Sequence, residues 1–221
     1  MKKLLILLIT MSSCSEKSII LEHKKYEATM IVLGLDLSNS FQQKPVSVYE
    51  LRSWLEGMTY SNVVSIHLFC VGKERQNAAI SLRLSAEMQP QGTINSLKVR
   101  SKLANKTRKI RNLNEEAIDK FVNHYQRLTE ADPLAKWTDL KSFNNWLNIL
   151  LNEPHYSEYN KTVFVYSDGV HSIPKKKEAH FLNLKNRNCE VYTSGFIEPD
   201  KHFNGNHTEL TSPNSFFTLI K

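Results

Sequence analysis

An aspartate and two serines at alternate positions, Asp36, Ser38 and Ser40, follow directly on the apolar run Ile31-Val32-Leu33-Gly34-Leu35. All three side chains end in oxygen, which suits a hard cation or a phosphate group. Taken singly, Asp and Ser serve equally well in turns and helix caps. The chemistry therefore depends on partners elsewhere in the chain. Two candidates stand beside the ends of expected elements: Thr138, in Trp137-Thr138-Asp139-Leu140, and Asp168, in Ser167-Asp168-Gly169.

The elements that must position these groups alternate along the chain. A continuous, branched apolar run from Ala28 to Leu35 predicts a strand buried on both faces, as a parallel sheet requires. Ser47-Val48-Tyr49-Glu50 is a capping-box signature that opens a helix through Leu51, Trp54 and Leu55 to Gly57. Val63 to Val71 is a second buried strand, and Ile80 to Leu84 alternates like a half-exposed edge strand. From Asn114 the pattern turns helical, with Ala117, Ile118, Phe121, Val122 and Tyr125 on one face. A second amphipathic helix carries Phe143, Trp146, Leu147, Leu150 and Leu151, with Thr138 expected at its N-cap. Thr162 to Tyr166 is the next strand. Pro174 is expected to start a short helix through Ala179, Phe181 and Leu182. Glu190 to Thr193 and Ser215 to Ile220 complete the strands. The implied fold is α/β: a doubly wound, mainly parallel six-stranded sheet flanked by helices.

That topology tests the site. In the strand order 3-2-1-4-5-6, strands one and four are neighbours at the switch point, where such sheets bind ligands. Asp36 ends the first and Asp168 the fourth, so both carboxylates reach one crevice. The helix after Asp139 runs antiparallel to the strand it feeds, which brings Thr138 to the same edge. Three separate segments thus converge on one spot with oxygen groups only.

At these residues the chain resembles a von Willebrand factor A domain with its metal-ion-dependent adhesion site. That family's pattern, Asp-x-Ser-x-Ser, then a distant Thr, then an Asp after a later strand, is matched by Asp36, Ser38, Ser40, Thr138 and Asp168. The resemblance spans residues 27–221. It departs from the family in a longer, more basic region from Gln76 to Leu134 and in lacking a closing helix after Ile220. It implies Mg²⁺, or Mn²⁺ in its place, with Ser38, Ser40 and Thr138 as direct or switchable ligands and the aspartates binding partly through water. It also implies a protein ligand whose carboxylate fills the open metal position. A metal that keeps several waters and is held mainly by neutral hydroxyls stays electrophilic enough to take such a group.

The chain has 221 residues, enough for one good core. Its net charge of +7 falls to +5 without Lys2 and Lys3, which belong to a leader. Met1-Lys2-Lys3, an apolar stretch from Leu4 to Thr10, and Ser12-Ser13-Cys14 resemble a bacterial lipoprotein signal. Residues 1–13 are then the signal peptide, Cys14 the lipidated first residue, 14–26 a tether and 27–221 the domain. Such a chain belongs in the bacterial cell envelope, anchored to a membrane without spanning it. Cys70 and Cys189 lie on strands that are not neighbours, so two buried thiols are expected rather than a disulfide. No Cys/His spacing suggests zinc.

Two other functions compete with metal-dependent protein binding. One is a metal-dependent phosphoester hydrolase, but acid-phosphatase-like chemistry wants a second Asp two positions after the first, where Ser38 stands. No Gly-x-Ser-x-Gly elbow or phosphate-binding loop appears either, so an enzyme is not expected. The other is an anion patch formed by Lys98, Arg100, Lys102, Lys106, Arg108, Lys109 and Arg111. No aromatic residue is interleaved to stack bases, which argues against nucleic acid and leaves a solvated basic face as the simpler reading.

Overall fold

A computed structural model describes residues 28–38, 41, 46–58, 62–71, 79–87, 97–130, 137–173, 176–179, 188–196 and 206–220. The leader, Cys14, the tether and Ser40 lie outside the described residues.

Six strands form one sheet in the order β3-β2-β1-β4-β7-β8, which counted along the sheet's own strands is the doubly wound order expected. They are β1 (Ala28–Asp36), β2 (Val63–Val71), β3 (Ala79–Leu84), β4 (Asn160–Tyr166), β7 (Cys189–Ser194) and β8 (Thr208–Glu209). Only the edge strand β3 runs antiparallel to its neighbour. Central β1 pairs with β2 on one side and β4 on the other. Its successive side chains therefore enter opposite faces of the sheet.

Ile31, Leu33 and Leu35 join the core under α1 (Val48–Gly57), α2 (Leu97–Glu130) and α4 (Pro213–Leu219). Met30 and Val32 join the core under α3 (Leu140–Leu151). Burial on both faces is why β1 reads as an unbroken apolar run.

Gly34 faces α3, and a Cβ at that position would lie 2.8 Å from Phe143 Cε2. The missing side chain lets the Phe143 ring rest directly on the strand. This close approach sets the height of α3 above β1, and with it the place of the residues just before the helix.

The capping box of α1 is present in full: Glu50 N donates to Ser47 Oγ and Ser47 N donates to Glu50 Oε2, each at 3.0 Å. Trp54 on α1 donates from Nε1 to Ile220 O at 2.7 Å and packs on Phe217. Buried Tyr125 donates its hydroxyl to Val46 O at 2.7 Å, tying α2 to the segment before α1. His67, inside β2, is buried between Ser65 Oγ, 3.0 Å from Nε2, and the edge of the Tyr156 ring. No disulfide joins Cys70 and Cys189, whose strands are separated by β1 and β4. Cys189 is only half-buried, less than expected.

Four expectations change. The segment Ser215 to Ile220 is a helix, not the last strand, since Ser212-Pro213 starts α4 with proline in its first turn. Its Phe216 and Phe217 pack on Trp54 and Phe164, so a helix covers the core where a strand was expected. The sixth strand is instead the two-residue β8, too short to carry a pattern. The segment after Pro174 is strand β6 (Lys176–Ala179), paired antiparallel with β5 (Val170–Ile173), and not a helix; Phe181 and Leu182 lie outside the described residues. Finally, α2 begins at Leu97, well before Asn114, so the whole basic segment is helical.

Candidate functional site

Asp36 closes β1 and is almost wholly buried. Its Oδ1 accepts from Ser38 N at 2.9 Å, a local turn that holds the carboxylate at the strand end. Its Oδ2 accepts from Ser167 Oγ at 2.8 Å, so the neighbouring strand end grips the same group. Burial pushes the Asp36 carboxyl above its usual pKa, the hydrogen bonds from Ser38 and Ser167 oppose that shift, and the negative charge of Asp168 adds to it. A second carboxylate close enough to raise the proton affinity of Asp36 marks a site of negative potential.

Ser38 is also buried, and its Oγ accepts from Thr138 Oγ1 at 2.7 Å. Thr138 therefore does arrive beside Asp36 and Ser38, but it is not the N-cap of α3. That role belongs to Asp139, whose Oδ1 accepts from Ser142 N at 2.9 Å. With the cap supplied by its neighbour, the Thr138 hydroxyl is turned to the crevice.

A bridge to β5 fixes the Thr138 backbone. Thr138 N donates to Ser172 O and Ser172 N donates to Thr138 O, each at 3.0 Å. The Ser172 hydroxyl accepts from Thr138 N as well, at 3.1 Å. The β5–β6 hairpin thus clamps the threonine in place.

Asp168 stands between β4 and that hairpin, half-buried. Its Oδ1 accepts from Val170 N at 2.9 Å. Gly169, at φ 78°, lets the chain turn sharply out of β4 and donates its N–H to Ser167 Oγ at 3.1 Å.

Of the five residues read from the sequence, Asp36, Ser38 and Thr138 meet through direct hydrogen bonds or one shared partner, and Asp168 lies within electrostatic reach of Asp36. Ser40 lies outside the described residues. Ser167 and Ser172 complete the cluster. Ser167 could have been noticed as the last residue before Asp168; nothing near Ser172 in sequence marks it.

The donor set fits a hard divalent cation. Asp36, Ser38, Thr138, Ser167, Asp168 and Ser172 all offer oxygen, and the two acids carry charge that a cation would offset. Among the described residues, no group of three or more His, Cys, Asp and Glu side chains could hold a metal, so the hydroxyls would have to act as ligands.

The basic residues are placed elsewhere, all exposed on the amino-terminal half of α2. Arg111 forms a bidentate pair with Glu87, at 3.0 Å for each contact.

No family model matches the chain, and no curated protein matches it in sequence. Among solved structures it is similar to proximal thread matrix protein 1 of the mussel byssus, at 12% identity and a TM-score of 0.45, over 88% of this chain and 47% of that one. It is similar to the pilus adhesin SpaC of Lactobacillus rhamnosus GG at 10% identity and a TM-score of 0.39, over 89% and 30%. It is similar to the ArnB paralog VWA2 of Sulfolobus acidocaldarius at 16% identity and a TM-score of 0.32, over 88% and 44%. This chain spans less than half the length of each of these proteins. At such identities and TM-scores the likenesses bear on no residue of the crevice.

Proposed function

We propose that this chain is a divalent-metal-dependent protein-binding domain, anchored to a bacterial envelope membrane through Cys14. Its crevice would hold Mg²⁺ or Mn²⁺ through Asp36, Ser38, Ser40, Thr138 and Asp168. The bound cation supplies a Lewis-acidic position that takes a carboxylate from a protein partner. The chain's own part would be to present the neutral hydroxyls of Ser38 and Thr138 beside the buried Asp36 carboxylate.

The observation that carries this reading is the hydrogen bond from Thr138 Oγ1 to Ser38 Oγ beside the buried Asp36 carboxylate. Two hydroxyls from distant segments in contact next to a buried acid are costly to assemble for capping alone, since Asp139 already caps α3. A phosphoester hydrolase gains no support here, because position 38 presents a hydroxyl bonded to Thr138 and not a second carboxylate.

The test is thermal melting of the full chain with chelator, Mg²⁺, Mn²⁺ and Ca²⁺. Mg²⁺ and Mn²⁺ are expected to raise Tm, and Asp36→Asn to abolish the rise. Equal melting with and without metal would remove the proposal. Partner capture from envelope extracts that depends on Mg²⁺ and is blocked by an acidic peptide tests the second half of the claim.

A further inference from the structure

We propose that the amino-terminal half of α2, residues 97–113, is an interfacial element that lies on an anionic lipid surface, independently of the metal crevice. Between Glu87 and Glu115 the chain carries seven cations and no acid: Lys98, Arg100, Lys102, Lys106, Arg108, Lys109 and Arg111. Because this stretch is one continuous helix, their angular positions are fixed at about 100° per residue.

The four lysines fall within an arc of about 80°, and the three arginines within a second arc of about 80°. Between the two arcs runs a stripe of Val99, Leu103 and Ile110, each half-buried. Further along the helix Ile118, Phe121 and Tyr125 belong to the main core, with Phe121 in line with the stripe, whereas among the described residues Val99, Leu103 and Ile110 belong to neither core. Leu97 and Leu113 add exposed apolar surface at either end, 80% and 55% accessible. The remaining arc carries Ser101, Asn105 and Asn112.

An apolar stripe bordered on both sides by long cationic side chains is the arrangement that settles at a lipid interface. The stripe enters the headgroup boundary while Lys and Arg reach out to the phosphates. Nucleic acid would call for bases stacked on aromatic rings, and residues 97–113 contain none. An acidic protein would answer the charge but has no use for the stripe between the charges. The segment is about 25 Å long, and no helix among the described residues is long and apolar enough to cross a membrane, so it would lie in the surface plane.

The test uses the full chain with Cys14→Ser, so that no acyl chain at that position contributes. Its co-sedimentation is measured with vesicles of phosphatidylcholine alone and of phosphatidylcholine with phosphatidylglycerol, at low and high salt. Binding is expected only to the anionic vesicles and is expected to weaken with salt. Replacing Lys98, Lys102, Lys106 and Lys109 with Gln should lower vesicle affinity by about fivefold per lysine, with unchanged circular dichroism because all four are exposed. Leu103→Ser with Ile110→Ser should also weaken vesicle binding while leaving binding to poly-glutamate as it was. No binding to anionic vesicles would overturn the proposal. So would vesicle binding indifferent to both sets of substitutions, or a stripe variant that binds like the parent, which would point to an acidic polymer instead.

Discussion

Thr138 donates its hydroxyl to Ser38 across 2.7 Å, although one hundred positions separate the two residues. The contact joins the loop after β1 to the residue preceding the cap of α3, and both hydroxyls are buried. Thr138→Val keeps shape and removes the donor. It is expected to cost ~1–2 kcal/mol without metal, as a buried hydroxyl loses its partner, and to abolish most of the Mg²⁺-dependent rise in Tm. Melting curves with chelator and with Mg²⁺ separate the two effects.

The buried Asp36 carboxylate answers in the opposite sense. Its pKa is raised in the folded chain, so the folded state holds this proton more tightly than the unfolded state. Ionising Asp36 therefore costs stability once pH climbs past the ordinary carboxylate range. Without metal, Asp36→Asn should melt at or above the temperature of the parent at neutral pH. At Mg²⁺ about one hundred times Kd the parent should gain roughly 5–10 °C, equivalent to ~2.7 kcal/mol, and the variant nothing. A variant that melts well below the metal-free parent would contradict this account.

His67 gives a pH dependence unrelated to metal. Burial pulls its pKa from 6.5 down to about 4. The unfolded chain takes up this proton first, so stability is full above about pH 6.5 and falls as pH drops toward about 4. Below that the folded chain protonates too, and this contribution stops changing. The loss should total on the order of 3 kcal/mol. Denaturant titrations of the parent and of His67→Gln across that window should show a flatter profile for the variant.

Gly34 and Phe143 link packing to the crevice. Gly34→Ala puts a methyl group into the Phe143 ring, and overpacking of this kind costs ~1–3 kcal/mol. Because α3 follows directly on Thr138 and Asp139, lifting the helix should also weaken the response to Mg²⁺. Adding Phe143→Leu, which makes room for the methyl, should restore much of the metal response even where stability stays low. Failure of that rescue in metal-dependent melting would uncouple the helix from the site.

Much of the frame was legible in the residues themselves. An apolar run buried on both faces announces a central parallel strand, and β2 runs from Val63 to Val71 as its composition predicts. The capping box at Ser47 and Glu50 marks the start of α1 because both partners sit within one turn. Such signals are local, and local sequence suffices for them. The segments misread were those whose form depends on contacts elsewhere. Phe216 and Phe217 suit a strand or a helix equally, and their packing on Trp54 and Phe164 goes with the helix. Val170–Ile173 and Lys176–Ala179 are strands because they pair with each other and β5 bridges to Thr138.

The candidate site divides in the same way. By itself the sequence determined which oxygen-bearing groups end β1 and β4 and, through the alternation of strands and helices, that those ends adjoin. Tertiary structure alone decided that Asp139 caps α3 while Thr138 turns to Ser38. It also decided that Ser167 grips Asp36 and that Ser172 clamps Thr138. The physical reason is that strand order follows from patterns within each segment. A hydroxyl's direction is set by whichever partner from another segment satisfies it, and that partner exists only once the chain has folded.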